Sequence, residues 1–431
     1  MKRRQFVQTV GAAAVLGPMG LSARADTSNN LNKQCCSARV VVIGGGYGGA
    51  TAAKYVRMWS DNAIDVTLIE ANRSFVSGPL SNLVLGGSKT LADLTVPYDK
   101  LVSRYGVRVL HDTVVRINPE RKFVKLRSGN EVEYDRLILS PGVDFMWDSL
   151  PGMNLSGVQD RILHAWKPGP QTLALRKQLE DMPDGGVFAM SIPLAPYRCP
   201  PGPYERACQV ASYLAQAKPK SKVLILDAND DVTSKPALFK QAWAERYAGI
   251  IEYMPRHNTI DIDPATKTFK FEASDDVKAD VMNVLPAMRA GDIATQTGLA
   301  NINQRWCEVD FLTHESKVAP HIHILGDAVQ AASAMPKSGH MANQHGKTCA
   351  AAVVALLTRQ EVNPLPLYNN TCYSFVSADE AIHVASVHRY DAAQKTMLTV
   401  PGSGGVSAAA SVQEGQYAQA WARNIWADTL A

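Results

Sequence analysis

The stretch GGGYGG at 44–49 carries no reactive side chain, yet its spacing does chemistry through the backbone. Gly44, Gly46 and Gly49 fit a dinucleotide-binding fingerprint. The first permits a tight turn, the second lets the chain approach a pyrophosphate, and the third lets helix and strand pack closely. They follow ARVVVI, a β-branched run suited to a buried parallel strand, and precede ATAAKYVRMWS, whose apolar spacing is helical. A helix starting there offers free N–H groups to phosphates. A second strand, IDVTLIE, ends in Glu70, next to Ala71, at the distance expected for an acceptor of a ribose hydroxyl. Glycines alone are a weak signal; strand, glycines, helix, strand and acid in this order are a strong one.

Three later segments favour FAD over a nicotinamide. YDRLILSPG is a strand running into Ser140-Pro141-Gly142, and it resembles the strand-turn element of two-dinucleotide flavoproteins. HIHILGDA is a late strand ending in Gly326-Asp327; in that superfamily such an aspartate binds the flavin ribityl chain. A helix then begins near Ser338. Its positive end suits the flavin O2 region, which gains negative charge on reduction, and Lys337 adds to that charge.

The elements that must hold this site form an α/β pattern that occurs twice. Between 151 and 299, TLALRKQLEDM and YERACQVASYLAQ read as helices, GGVFAMSI and SKVLILDAND as strands. After GGVFAMSI a second glycine fingerprint for NAD(P)H is due. Instead the chain reads PLAPYRCPPGPYER, where five prolines remove N–H donors and stiffen the connection. The expected fold is therefore two Rossmann-like domains plus an α+β C-terminal domain. The FAD domain is discontinuous (37–150 and 300–360), the former-NAD domain spans 151–299, and the C-terminal domain 361–431.

RCPPGPYERA, with HAWKPGPQTLALRKQLEDMPDGG before it and MPKSG and LYNNTCYS after it, resembles the flavoprotein subunit of flavocytochrome c sulfide dehydrogenase. The resemblance runs from about Val40 to the C-terminus. It implies FAD, a reduced sulfur compound as electron donor, a c-type cytochrome as acceptor, and a C-terminal domain that covers the flavin and docks the cytochrome. It also implies kinship with sulfide:quinone oxidoreductases and with the accessory flavoproteins of sulfur-oxidising complexes. Cys199 matches the first cysteine of the family's redox disulfide, Glu205 a base beside the flavin, and Trp421 a tryptophan near it. Two positions depart from the pattern. Gly78 stands where the family carries the cysteine bonded to the flavin, so FAD is expected without a covalent tether. The second redox cysteine is expected after Gly-Asp-Ala, where Val329 stands. One thiol cannot close a disulfide cycle, but a lone thiolate can form a persulfide, a sulfenic acid or a flavin adduct. Three readings stay open: sulfide dehydrogenase-type oxidoreductase, accessory flavoprotein, or one-thiol flavin enzyme on another small substrate.

Composition sets the outer limits. The chain has 431 residues, 46% hydrophobic and 19% charged, ordinary for a globular protein of two or three domains. Its formal charge of +4 comes from 44 basic and 40 acidic residues; Lys2, Arg3, Arg4 and Arg24 account for the whole excess. This balance argues against nucleic acid as a partner. MKRRQFVQTVGAAAVLGPMGLSARA (1–25) reads as a twin-arginine-type export signal, which predicts a periplasmic protein without a membrane span in its mature part. Seven cysteines (35, 36, 199, 208, 307, 349 and 372) have no metal-ligand spacing. His164, His340 and His345 form no ligand set either, so no metal is expected. There is no Cys-x-x-Cys-His, so any haem must sit on a partner.

Overall fold

The run of three valines at 40–42 becomes strand β1 (Arg39–Ile43), each of them no more than 1% exposed. Burial at that level contributes roughly 1.5–3 kcal/mol per side chain. The structure is a computed structural model that describes residues 38–431. The expected export signal, Cys35 and Cys36 lie outside the described residues. Helix α1 (Tyr47–Trp59) follows the glycine turn, and β2 (Asp65–Ile69), β3 (Arg108–Leu110) and β4 (Arg136–Leu139) continue the first sheet. All of these strands pair in parallel, with Val41 opposite Thr67 on one side and Leu137 on the other.

A second α/β unit follows. It comprises α2 (Pro170–Asp181), β5 (Val187–Ile192), α3 (Gly202–Ala217), β6 (Lys222–Asp227), α4 (Pro236–Arg246), β7 (Ile251–Pro255) and β8 (Val281–Val284). Its sheet runs β7-β6-β5-β8, all parallel. The β5–α3 connection is the proline-rich stretch.

Strand β9 (Ile322–Ile324) returns to the first sheet and pairs with β4, giving the order β9-β4-β1-β2-β3. Helix α5 (Gly339–Thr358) starts at Ser338, whose Oγ accepts the Met341 N–H at 3.1 Å. It packs tightly on α1: a Cβ at Gly346 would sit 2.6 Å from the Gly48 carbonyl oxygen. The C-terminal part is an antiparallel sheet of β10 (Leu367–Phe375), β11 (Ala381–Asp391) and β12 (Thr396–Thr399), backed by α6 (Val412–Leu430). The Lys54 ammonium on α1 donates to the carbonyls of Ala427, Asp428 and Ala431, anchoring the end of α6 on the first domain. Among the described residues no helix is long and apolar enough to cross a membrane.

Candidate active site

Each fingerprint glycine has a distinct geometric reason. Gly44 has φ +93°, and a Cβ there would lie 2.2 Å from the Ser140 carbonyl oxygen. At Gly49 a Cβ would come within 1.9 Å of the Gly44 oxygen, so helix and strand could not approach. At Gly46 nothing lies within 4 Å, because its Cα faces an open cleft. Glu70, at the end of β2, accepts the Gly45 N–H at 2.7 Å through Oε2 and the Asn72 N–H at 2.8 Å through Oε1. With Gly44, Ala71 and Pro141 it lines a groove beside the glycine turn.

The cleft runs from Gly46 past Gly142, Gly326, Asp327 and Ser338 to Trp421. Asp327 Oδ1 is shut off from bulk solvent and has no protein partner, and burial pushes its carboxyl pKa up. A buried polar atom without a partner calls for one; a polyhydroxyl chain such as the ribityl group supplies it. Glycine cradle, helix N-terminus and orphaned carboxylate together fit a flavin dinucleotide. Those residues would hold the pyrophosphate and the ribityl chain.

Lys337 departs from expectation. Its ammonium does not face the cleft: it donates to the carbonyls of Asp327 (2.9 Å) and Val329 (2.6 Å) and stands 3.6 Å from the centre of the Trp306 ring. Burial lowers its pKa to about 8. Its role is to shape the loop after Asp327, and its own carbonyl accepts the Cys199 N–H at 2.8 Å.

The proline-rich connection folds inward and presents Cys199 to the cleft with φ +60°. Gly202 follows closely; any Cβ there would stand 2.9 Å from the Cys199 sulfur. Across the cleft from Cys199 comes Cys372, carried in the middle of β10, and both free thiols line the same cleft. The neighbouring Cys372 thiol, and then burial, push the Cys199 pKa well up. The neighbouring Cys199 lowers Cys372 to about 7 against its own burial, helped by Lys235. The expectation that the second redox cysteine is lost at 329 is therefore corrected. Val329 is 1% exposed, packed in an apolar cluster and bridged to Cys307, away from the thiol pair. The thiol partner comes from LYNNTCYS, a segment whose cysteine was legible as part of the motif but not as a neighbour of Cys199. Cys208 is buried and accepts the Trp243 Nε1–H at 3.3 Å.

Glu205, on the first turn of α3, is buried beside the pair. Its Oε1 accepts the Phe375 N–H and its Oε2 the Asn82 Nδ2–H, both at 2.8 Å. Burial raises its pKa, and the two hydrogen bonds partly offset that. Arg206, 2% exposed, donates to Asn82, Asn283 and the carbonyls of His164 and Ala165, fixing Asn82 against Glu205. Trp421 lines the cleft edge-on to His340, whose Nδ1 accepts the Thr371 N–H at 2.9 Å. His345 Nδ1 accepts the Gly326 N–H, and His164 Nδ1 accepts the Trp166 N–H. The described residues hold no cluster of three potential metal ligands. Gly78 also lines the cleft, with nothing within 4 Å of a Cβ built there. Cys372, Lys235, Asn82 and Arg206 went unassigned at the level of sequence, because each reaches the site from a different element.

Comparison with known proteins agrees with this geometry. Residues 172–286 match the family described as sulfide dehydrogenase [flavocytochrome c] flavoprotein chain, central. Residues 364–430 match the flavin-binding family of flavocytochrome c sulphide dehydrogenase, and residues 38–180 match pyridine nucleotide-disulphide oxidoreductase. The flavoprotein chain of sulfide dehydrogenase from Chlorobaculum thiosulfatiphilum is 56% identical over 46 residues, 11% of this chain and 94% of that sequence. The mitochondrial sulfide:quinone oxidoreductase of Dictyostelium discoideum is 25% identical over 67% of this chain, a match spanning 65% of that relative's length. The solved sulfide:quinone oxidoreductase of Aquifex aeolicus shares the fold, with a TM-score of 0.73 at 18% identity over 91% of this chain and 92% of that one. With a matching central region, a matching flavin-binding region and a thiol pair in a cleft that fits FAD, the chain belongs to the flavocytochrome c sulfide dehydrogenase flavoprotein family.

Proposed function

We propose that this chain is a periplasmic oxidoreductase that takes electrons from a reduced sulfur compound and delivers them to a c-type cytochrome, with FAD held non-covalently. The observation that carries the reading is the Cys199–Cys372 thiol pair facing a cleft fit for a flavin. When bound, the flavin supplies two-electron acceptance from a dithiol and stepwise release to a one-electron carrier. The chain's own residues prepare the sulfur chemistry. From the disulfide form of the pair, hydrosulfide adds to one sulfur; the new S–S bond forms as the Cys–Cys bond breaks, and the electron pair leaves on the other thiolate. The buried Glu205 carboxylate, its pKa raised by burial, takes the proton of the incoming hydrosulfide.

The cytochrome acceptor is supported by the name of the Chlorobaculum relative, the periplasm by the N-terminal pattern, and the absent tether by Gly78. The accessory and one-thiol readings need a missing second cysteine; that Cys372 lines the same cleft as Cys199 supports the two-thiol reading instead. Stoichiometric sulfide added anaerobically to purified protein should bleach the flavin absorbance, and cytochrome c should restore it. No bleaching at any sulfide concentration overturns the proposal.

A further inference from the structure

Lys235 lies on the segment leading into α4, far along the chain from either cysteine, with its backbone at φ +57°. It is 5% exposed, and its ammonium points toward β10. There it donates to the Cys372 carbonyl at 3.1 Å and to Ser374 Oγ at 2.9 Å. Ser374 stands two residues from Cys372 in β10, so this bond puts the ammonium on the strand face that also carries the Cys372 side chain. Among the described residues no carboxylate lies within ion-pair distance of it; Glu205 and Glu414 act on it from farther off, as do both cysteines, Cys372 the more strongly. A buried cation without a paired carboxylate is costly unless an anion is due nearby.

We infer that Lys235 is a positioning residue that makes Cys372, rather than Cys199, the thiolate of the pair. The inference rests on the reading of the two cysteines as the redox centre. Other charged or titratable groups surround the pair and Lys235: Arg198 beside Cys199, Glu205 and Arg206 on α3 and His340 on α5 line the cleft that holds the pair, and Glu414 on α6 acts on Lys235. Of these, Glu205 disfavours a thiolate on both cysteines, and Arg198 favours one on Cys199. Lys235 tips the balance to Cys372, to which its ammonium is held by that residue's own carbonyl. The consequence is a direction for the reaction. A thiol that ionises more readily is the better leaving group. Hydrosulfide therefore adds to Cys199 Sγ, the Cys199–Cys372 bond breaks, and the electron pair leaves on Cys372 Sγ beside the ammonium.

The test uses the flavin-loaded full chain with the pair reduced. The infrared S–H stretching band of Cys372 is isolated by subtracting the spectrum of Cys372→Ser and is followed against pH. Lys235→Gln keeps donors for the Cys372 carbonyl and removes the charge; its midpoint should rise by at least one pH unit. Lys235→Arg should restore the midpoint to near that of the unmodified chain. An unchanged midpoint in Lys235→Gln overturns the inference, and comparison of Gln with Arg separates lost charge from altered packing. Peptide mapping after sulfide and alkylation gives a second reading: extra sulfur is expected on Cys199, and extra sulfur on Cys372 overturns the inference. If sulfide does not react at all, the proposed function fails, while the S–H titration still decides the role of Lys235.

Discussion

Two strand–loop–helix connections in this chain share one topology and differ in use. In the first, β1 runs into α1 through glycines, and the backbone itself is the working surface: Gly46 is open to the cleft and Gly49 lets the helix close up. In the second, β5 runs into α3 through prolines, and side chains do the work. Cys199 projects from that loop, and Glu205 and Arg206 follow on the first turns of the helix. The first connection is a phosphate cradle, while the second delivers a thiol, a carboxylate and a guanidinium to the cradle's occupant. A Rossmann-like unit thus keeps its sheet while its ligand loop is turned toward the neighbouring domain's cofactor.

The sharpest break of this comparison is in the thiols. Cys199→Ser and Cys372→Ser should each lower sulfide-dependent turnover by about 1,000-fold, and the double substitution should be no worse, since the two act as a unit. Flavin content should stay within error of the parent in all three. Activity retained in Cys372→Ser would mean that the second connection works with one thiol. Next comes the glycine cradle. In Gly49→Ala the new methyl meets a backbone oxygen that cannot yield cheaply, costing about 1–3 kcal/mol. Flavin should then bind roughly 5- to 100-fold more weakly, read as the dissociation constant of the apoprotein. Pro200→Ala, in the other connection, should leave flavin affinity unchanged and lower turnover only severalfold.

A smaller effect belongs to Glu205. Its raised pKa predicts that the rate falls as pH drops through a value above the usual glutamate pKa of about 4.3. Glu205→Gln should remove that acid limb and lower the plateau by about 10- to 100-fold. For stability the sign is opposite to that of an ion-paired carboxylate. The folded state holds this proton more tightly than the unfolded chain does, so stability falls as pH rises from the unfolded pKa through the folded one. The glutamine variant should lack that slope in thermal melts across the same range.

The contrast also explains how much was legible beforehand. The glycine site is local: turn, helix start and strand end lie within about thirty residues, so spacing alone announces them. The strands and helices of the second unit show in their periodicity, and the proline loop shows by what it lacks. The thiol pair is not local. Cys199 and Cys372 meet only because β10 of the C-terminal sheet packs over the start of α3, where Glu205 accepts from the Phe375 N–H. No spacing rule carries that information, and the same holds for Lys235, which reaches Cys372 from the start of α4. Lys337 shows the reverse case. Its place next to the Ser338 helix start suggested a charge at the flavin, but carbonyls at Asp327 and Val329 draw its ammonium the other way.

The smallest expected effect concerns Gly78, which lines the cleft four residues before Asn82. Acid precipitation of the unmodified protein should leave the flavin in the supernatant; flavin retained on the precipitated chain would contradict a non-covalent site. Nothing lies within 4 Å of a Cβ built at this glycine, so a cysteine side chain fits there without displacing a neighbour. Gly78→Cys should therefore change stability by less than about 0.5 kcal/mol. The family resemblance puts the flavin-linking sulfur at this position, so the variant should retain at least part of its flavin through acid precipitation. Because a tether at Gly78 adds no charge beside Cys372, it should move the flavin potential and leave the Cys199–Cys372 titration where it was. A Gly78→Cys protein that keeps flavin and also shifts the Cys372 midpoint would show that the Gly78 segment is coupled to the thiols through Asn82 and Glu205, and that the cleft helps to set the thiol chemistry it holds.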